Sequence, residues 1–381
     1  MTEPTKRVWA TIDLEAFKKN LALVSSLCSG SKIYPVVKSN AYGHGMEQVV
    51  NAALNSETKI AGFSVATIQE AIDLRALNVS LPILMLNGFF NEDELRLCLE
   101  LNIESVLHSS RQVKLVNDFL STETLKGLTR FWIKMNSGMN RLGMSSEDCQ
   151  KAFKDLNINP NIELVFMTHL AYADDMENLE SEEFTTKQLR RFNQAKEKIQ
   201  SNHDKELETS IAASAGILTL PITHKNYVRP GVMLYGSSPL AKKKGGDVGL
   251  NPVMSLSSRL ISINEVRAGE GIGYNATYIC DKDMRVGTVS IGYGDGYPRS
   301  AKNGTPVLIK TRSQTFKTQV IGRVSMDMIT IDLSEVHDSE INDEVLLWGA
   351  GLCPDEVAAH ADTIAYELFC KVTKRVPLIY V

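Results

Sequence analysis

Over the first two thirds of the chain, short runs rich in Val, Ile, Leu and Phe alternate with longer stretches whose apolar residues fall three or four apart. These are the spacings of a buried strand and of an amphipathic helix. Arg7–Leu14 alternates like a strand, and Glu15–Leu27 carries Phe17, Leu21 and Val24 at helical spacing. The run Pro35-Val36-Val37 ends in Lys38, and a helix is predicted over Met46–Leu54. Strands are then predicted over Gly62–Ala66, Pro82–Leu86, Glu104–His108, Phe131–Met135, Leu164–His169, Ser210–Ala213 and Tyr227–Tyr235. Helices fall between them at Thr67–Leu77, Asn91–Leu101, Arg111–Leu120, Glu147–Leu156 and Glu182–Gln200. The first of these opens on Thr67 with Glu70 three residues on, the pattern of a capping box. About eight strands alternating with helices predict an α/β fold, a (β/α)8 TIM-type barrel over residues 1–240.

After Gly236 the texture changes. Ser237–Leu250 is rich in Gly, Lys and Ser and reads as a linker. Beyond it, Leu256–Val266, Arg285–Ile291, Thr305–Ile309, Thr318–Ile321, Met328–Leu333 and Glu344–Leu347 are short strand-like runs broken by glycines. They predict a second, mainly β domain over residues 241–381, with one helix at Asp355–Leu368 and a terminal strand-like Val376–Val381.

At 381 residues the chain is long for a single core, in keeping with two domains. A net charge of -4 gives no electrostatic reason to expect nucleic acid or an anionic membrane as partner. The polar opening Met1–Arg7 is followed by no long apolar segment, so a cytoplasmic protein without signal peptide or membrane span is expected. Six scattered cysteines without paired spacing suit reduced, buried thiols. The seven histidines form no metal-ligand motif, and no metal is expected.

Function in a parallel barrel collects at the carboxyl ends of the strands. Lys38 stands at one such end, before Ser39-Asn40-Ala41-Tyr42-Gly43-His44-Gly45. A lysine there can lose solvation and proton, as an amine nucleophile must, or can simply snorkel to solvent. Lys134-Met135-Asn136-Ser137-Gly138-Met139-Asn140-Arg141-Leu142-Gly143 places a lysine and an arginine at another strand end, and alone reads equally as a solvated turn. Thr168-His169 ends a third strand, where a packed imidazole is the plain alternative. Ala213-Ser214-Ala215-Gly216 and Arg229-Pro230-Gly231-Val232-Met233-Leu234-Tyr235-Gly236 offer small residues and free N–H groups that suit a phosphate, or two ordinary turns.

Taken together these segments closely resemble the signature segments of alanine racemases, from about residue 7 to 381 and in order. The resemblance implies a pyridoxal-phosphate enzyme that interconverts L- and D-alanine, the latter a peptidoglycan precursor. It implies that Lys38 tethers the cofactor and is one acid/base group, with Tyr274 in Gly273-Tyr274-Asn275-Ala276-Thr277-Tyr278 the other. Arg141 contacts cofactor and substrate carboxylate, and Lys134 matches a lysine that is carbamylated in many members. By the same resemblance, His169 is expected to link Arg229 to the catalytic tyrosine, Arg229 to face the pyridine nitrogen, and Ser214, Gly231, Val232, Tyr42 and Tyr366 to contact the phosphate. The Met326 amide meets the substrate carboxylate, while Tyr293 and Arg299 lie in the segment lining the entrance. The second domain reaches into the partner's active site, so a homodimer with shared sites is implied. Ser39, Asn136-Ser137 and Ser325 depart from commoner family residues without touching a reacting group. A barrel-type decarboxylase is expected to carry an acid where Arg229 stands, and a non-enzymatic cofactor carrier to lack the second domain. A racemase of broader specificity is the nearest alternative.

Overall fold

The computed structural model describes residues 6–203 and 205–381. Eight parallel strands run in the order Lys32–Ile33, Tyr227–Arg229, Thr209–Ala213, Ile162–Met167, Thr129–Lys134, Ile103–Leu107, Ile83–Met85 and Phe63–Val65. The sheet closes where Val36 bridges Ser64, with Ser64 N donating to Pro35 O at 2.8 Å and Val37 N to Ser64 O at 2.9 Å. Helices cover it, and many start on a short polar side chain that takes an otherwise unpaired first-turn N–H: Asp13, Thr67, Asn91, Ser109, Ser145 and Asn178.

Because strand side chains alternate, every second residue enters the barrel. Its lower end is polar: Glu104 accepts from Arg130 at 2.6 Å, from Trp132 Nε1 at 2.8 Å and from Tyr34 Oη at 3.3 Å, and Lys32 pairs with Glu208 at 2.7 Å. The middle is apolar, filled by Tyr34, Leu84, Val106, Trp132, Val165 and Met167. Two residues further along the same strands the upper end is again polar, holding Lys134 and Arg229.

In the second domain Met254–Val266 pairs antiparallel with both Met284–Val289 and Glu344–Trp348. The strands Ile329–Asp332, Thr315–Ile321 and Pro306–Lys310 complete the circuit between them. Three sequence expectations are corrected here. Val8–Ile12, expected in residues 1–240 with the barrel, pairs antiparallel with Met254–Val266 and parallel with Leu378–Tyr380 in the second domain's sheet. Only its Ala10 and Ile12 are fully buried, as suits a one-sided sheet, whereas barrel strands such as Ile103–Leu107 are buried throughout. The expected single helix Asp355–Leu368 is two, Pro354–His360 and Ala365–Lys371, broken where Asp362 takes φ 50. The expected linker is pinned, since Asp355 accepts from Ser237 Oγ, Ser238 N (3.1 Å) and Gly245 N (2.9 Å).

The domains meet within one chain. Gly43 faces the Phe369 carbonyl so closely that a Cβ has no room, and Cys370 feels the charge of Lys38.

Candidate active site

Lys38 is half-buried at the end of its strand, after the buried Pro35, Val36 and Val37. The chain then turns with an unusual hand. Ser39, Asn40, Ala41 and Tyr42 take φ of 53, 53, 53 and 52, a left-handed turn built from L-residues. Left-handed backbone costs about 1–2 kcal/mol per residue. Hydrogen bonds offset it: Ala41 N to Val37 O (2.9 Å), Gly43 N to Ser39 O (2.9 Å) and Met46 N to Asn40 Oδ1 (2.8 Å). The buried His44 Nδ1 lies 2.8 Å from Tyr42 O and 3.1 Å from Ala41 O. Both are acceptors, so Nδ1 carries the proton.

Around Lys38 the mouth is cationic. Lys134 is 9% exposed, and burial with the charges of Arg229, Arg141 and Lys38 pushes it down to about 8. Arg229 is buried and bonds only neutral acceptors: Ser210 Oγ, Thr168 O (2.8 Å) and Ile211 O (3.2 Å). Burial lowers it to about 10, still cationic near neutral pH. Burial and the charges of Arg229, Lys134, Arg141 and Lys38 drive His169 down to about 3, so its imidazole is neutral. Arg141 is exposed on its turn. Among the described residues no carboxylate pairs with any of these cations, an arrangement that favours an anionic ligand.

Beside them lies a cradle. Ser214 Oγ accepts from Gly231 N at 2.9 Å, and a Cβ on Gly231 would stand 2.7 Å from Tyr42 Oη and 3.8 Å from Ser214 Oγ. Burial raises the phenols of Tyr42 and Tyr366, whose rings lie 6.1 Å apart, keeping both as hydroxyl donors. Val232 opens a short 3-10 turn whose first N–H has no partner among the described residues. The Ser214 hydroxyl, the two phenols and the Val232 N–H, beside a glycine that has no room for a Cβ, are a donor set that fits a phosphate.

The barrel mouth thus gathers Lys38, Tyr42, Lys134, Arg141, His169, Ser214, Arg229, Gly231, Val232 and, from the second domain, Tyr366. The remaining expected residues form a separate cluster on that domain. Tyr274 is 69% exposed on a turn whose Gly273 packs against Arg323, and Met326 is 53% exposed. Gly294 N donates to Met326 O at 2.8 Å, joining this loop to exposed Tyr293, with exposed Arg299 further along. Sequence reasoning missed the supports. Gln188 Nε2 donates to Ser137 Oγ (3.1 Å) and His169 O (3.2 Å), and Tyr235, ring 4.7 Å from Tyr42, donates to Val36 O at 2.9 Å. Gln188 sits mid-helix and Tyr235 after an apolar run, so neither carried a chemical signal.

A parallel barrel with a lysine in a mouth whose cations pair with no carboxylate among the described residues, covered by a β domain of its own chain, defines a two-domain barrel enzyme for anionic ligands. The model of the alanine racemase N-terminal domain matches residues 12–239, and that of the C-terminal domain residues 253–380. The alanine racemase of Vibrio vulnificus is 42% identical over 378 residues, 98% of this chain and 99% of the relative. The biosynthetic alanine racemase of Pseudomonas aeruginosa superposes with a TM-score of 0.89 at 39% identity, covering 99% of this chain and all of that one. That of Bartonella henselae, with covalently bound pyridoxal phosphate, gives 0.86 at 27% identity over 98% of this chain and 99% of its own. The chain belongs to the alanine racemase family.

Proposed function

We propose that this chain interconverts L- and D-alanine with pyridoxal phosphate tethered to Lys38. The observation that carries the proposal is the strand-end lysine among Lys134, Arg141 and Arg229, none of them paired with a carboxylate among the described residues. Ser214, Gly231, Val232, Tyr42 and Tyr366 would hold the phosphate. Bound there, the cofactor supplies an electron-accepting ring that acidifies the Cα–H of alanine. Arg229 remains a cation bonded only to neutral groups, so it disfavours a proton on the pyridine nitrogen and limits side reactions at Cα.

Arg141 and the Met326 amide hold the substrate carboxylate, a task that suits a guanidinium fork. Lys38 removes or returns the Cα proton on one face and Tyr274 on the other. Tyr274 comes from a second copy, its exposure in the single chain supporting that assignment. Lys134, held near 8, presents a neutral fraction to carbon dioxide. Its nitrogen forms the new N–C bond, a proton leaves, and the carbamate anion braces Arg141. A homodimer working in the cytoplasm, supplying D-alanine for peptidoglycan, completes the reading. Among the described residues no helix is long and apolar enough to cross a membrane.

The test is Lys38→Ala. Borohydride fixes the cofactor to the wild-type chain and not to the variant, and D-alanine formation falls by about 10²-fold or more. Covalent labelling retained by the variant overturns the assignment.

A further inference from the structure

Glu70 carries a second bond that its place in a helix cap does not require. At the third position of the helix Ile68–Ala76 it completes the capping box: Glu70 N donates to Thr67 Oγ1 at 3.3 Å and Thr67 N to Glu70 Oε2 at 3.1 Å. Ala66 N also donates to Oε2, at 2.8 Å. The other oxygen, Oε1, turns away from the helix and accepts from Ser39 N at 2.7 Å, 31 residues distant in the chain.

That N–H belongs to the peptide joining Lys38 to Ser39. In the left-handed turn the carbonyl four residues back, Pro35 O, is already taken by Ser64 N at 2.8 Å. Glu70 is therefore the acceptor that anchors this peptide plane, and the plane fixes ψ of Lys38 and φ of Ser39 together. Strained backbone persists only where its surroundings over-determine it. The rest of the turn is held by Ala41 N to Val37 O, Gly43 N to Ser39 O, Met46 N to Asn40 Oδ1 and His44, and none of these takes the Ser39 N–H.

We propose that Glu70 is a positioning residue for Lys38, its carboxylate locking the first peptide of the left-handed turn and with it the direction of the lysine side chain. The proposal rests on the reading of Lys38 as the cofactor lysine. Two substitutions separate positioning from capping. In Glu70→Gln the amide has a single acceptor oxygen, so it cannot serve both the helix start and Ser39. Thr67→Ala removes the other half of the capping box and leaves the Ser39 bond intact.

The experiment compares wild-type holoenzyme with Glu70→Gln, Glu70→Ala and Thr67→Ala. It measures hydrogen exchange in a peptide spanning the Lys38 turn, thermal unfolding, borohydride fixation of the cofactor, and kcat and KM for alanine. In both Glu70 variants the turn is expected to exchange about tenfold faster or more. Their kcat falls about 10- to 100-fold while KM changes less than about twofold, the pattern of a misaligned reacting group. Thr67→Ala loses a comparable part of the melting temperature but keeps turn protection and kcat. Equal kcat losses in Thr67→Ala and Glu70→Ala at equal melting temperature, or turn exchange unchanged in the Glu70 variants, reduce Glu70 to a cap. Fixation of the cofactor to a residue other than Lys38 removes the reading beneath the proposal, and is seen separately in the wild-type labelling.

Discussion

Lys134 is where charge and burial conflict most plainly at the scale of a single residue. Its ordinary value is 10.5, and the folded protein holds it at about 8. Between those values the unfolded chain binds a proton that the folded chain does not, so stability rises with pH across that window. Below about 8 both states are protonated and the full penalty of burying the cation remains. Chemical denaturation in buffers free of carbon dioxide should show a stability slope between pH 8 and 10 that is more positive in the wild type than in Lys134→Gln, by up to ~1.4 kcal/mol per pH unit. Identical slopes in the two proteins would place the lysine outside the cationic cluster. Admitting carbon dioxide should flatten the wild-type slope, because a carbamate no longer titrates as an amine.

At the scale of elements, the turn after Tyr227–Arg229 and the short helix Ser214–Thr219 supply the cradle proposed for the phosphate. A Cβ on Gly231 would stand 2.7 Å from Tyr42 Oη and push that hydroxyl aside. Gly231→Ala is expected to weaken cofactor binding by about tenfold or more, since it displaces well-placed donors. Equilibrium dialysis against pyridoxal phosphate measures this, and unchanged affinity would move the phosphate elsewhere. Elements whose cause is local could be read from sequence: the alternating strands and helices, the Thr67 capping box, and the strand ends carrying Lys38, Lys134, His169 and Arg229. What escaped was set by distant partners. The sheet of Val8–Ile12 is chosen by Met254–Val266, far along the chain, although its one-sided alternation already differed from the buried runs of the barrel. The left-handed Ser39–Tyr42 contains no glycine to announce it, and Glu70 showed only its capping role because Ser39 is remote in sequence. Asp355, reaching back to Ser237, Ser238 and Gly245, orders a stretch whose composition suggests a loose linker.

At the scale of the whole molecule the expected residues divide into two groups. Lys38 and the residues proposed to cradle the cofactor occupy the barrel mouth, covered by Ala365–Lys371 of the same chain. Tyr274, Tyr293 and Met326 are exposed on the second domain, with the apolar Ile279 and Met328 exposed beside them. For the proton-transfer role proposed for Tyr274, this exposure suits entry into the mouth of a second copy across a two-fold axis. The central claim is that Lys38 and Tyr274 act on one alanine from different chains. The measurement that tests it most directly is D-alanine formation by an isolated heterodimer of a Lys38→Ala chain and a Tyr274→Phe chain, each inactive by itself. With Tyr274 acting in trans, one site carries both lesions and the other carries neither, so the heterodimer recovers about half the wild-type activity per dimer. If the verified heterodimer recovers no activity, every site has kept one lesion, and lysine and tyrosine come from the same chain.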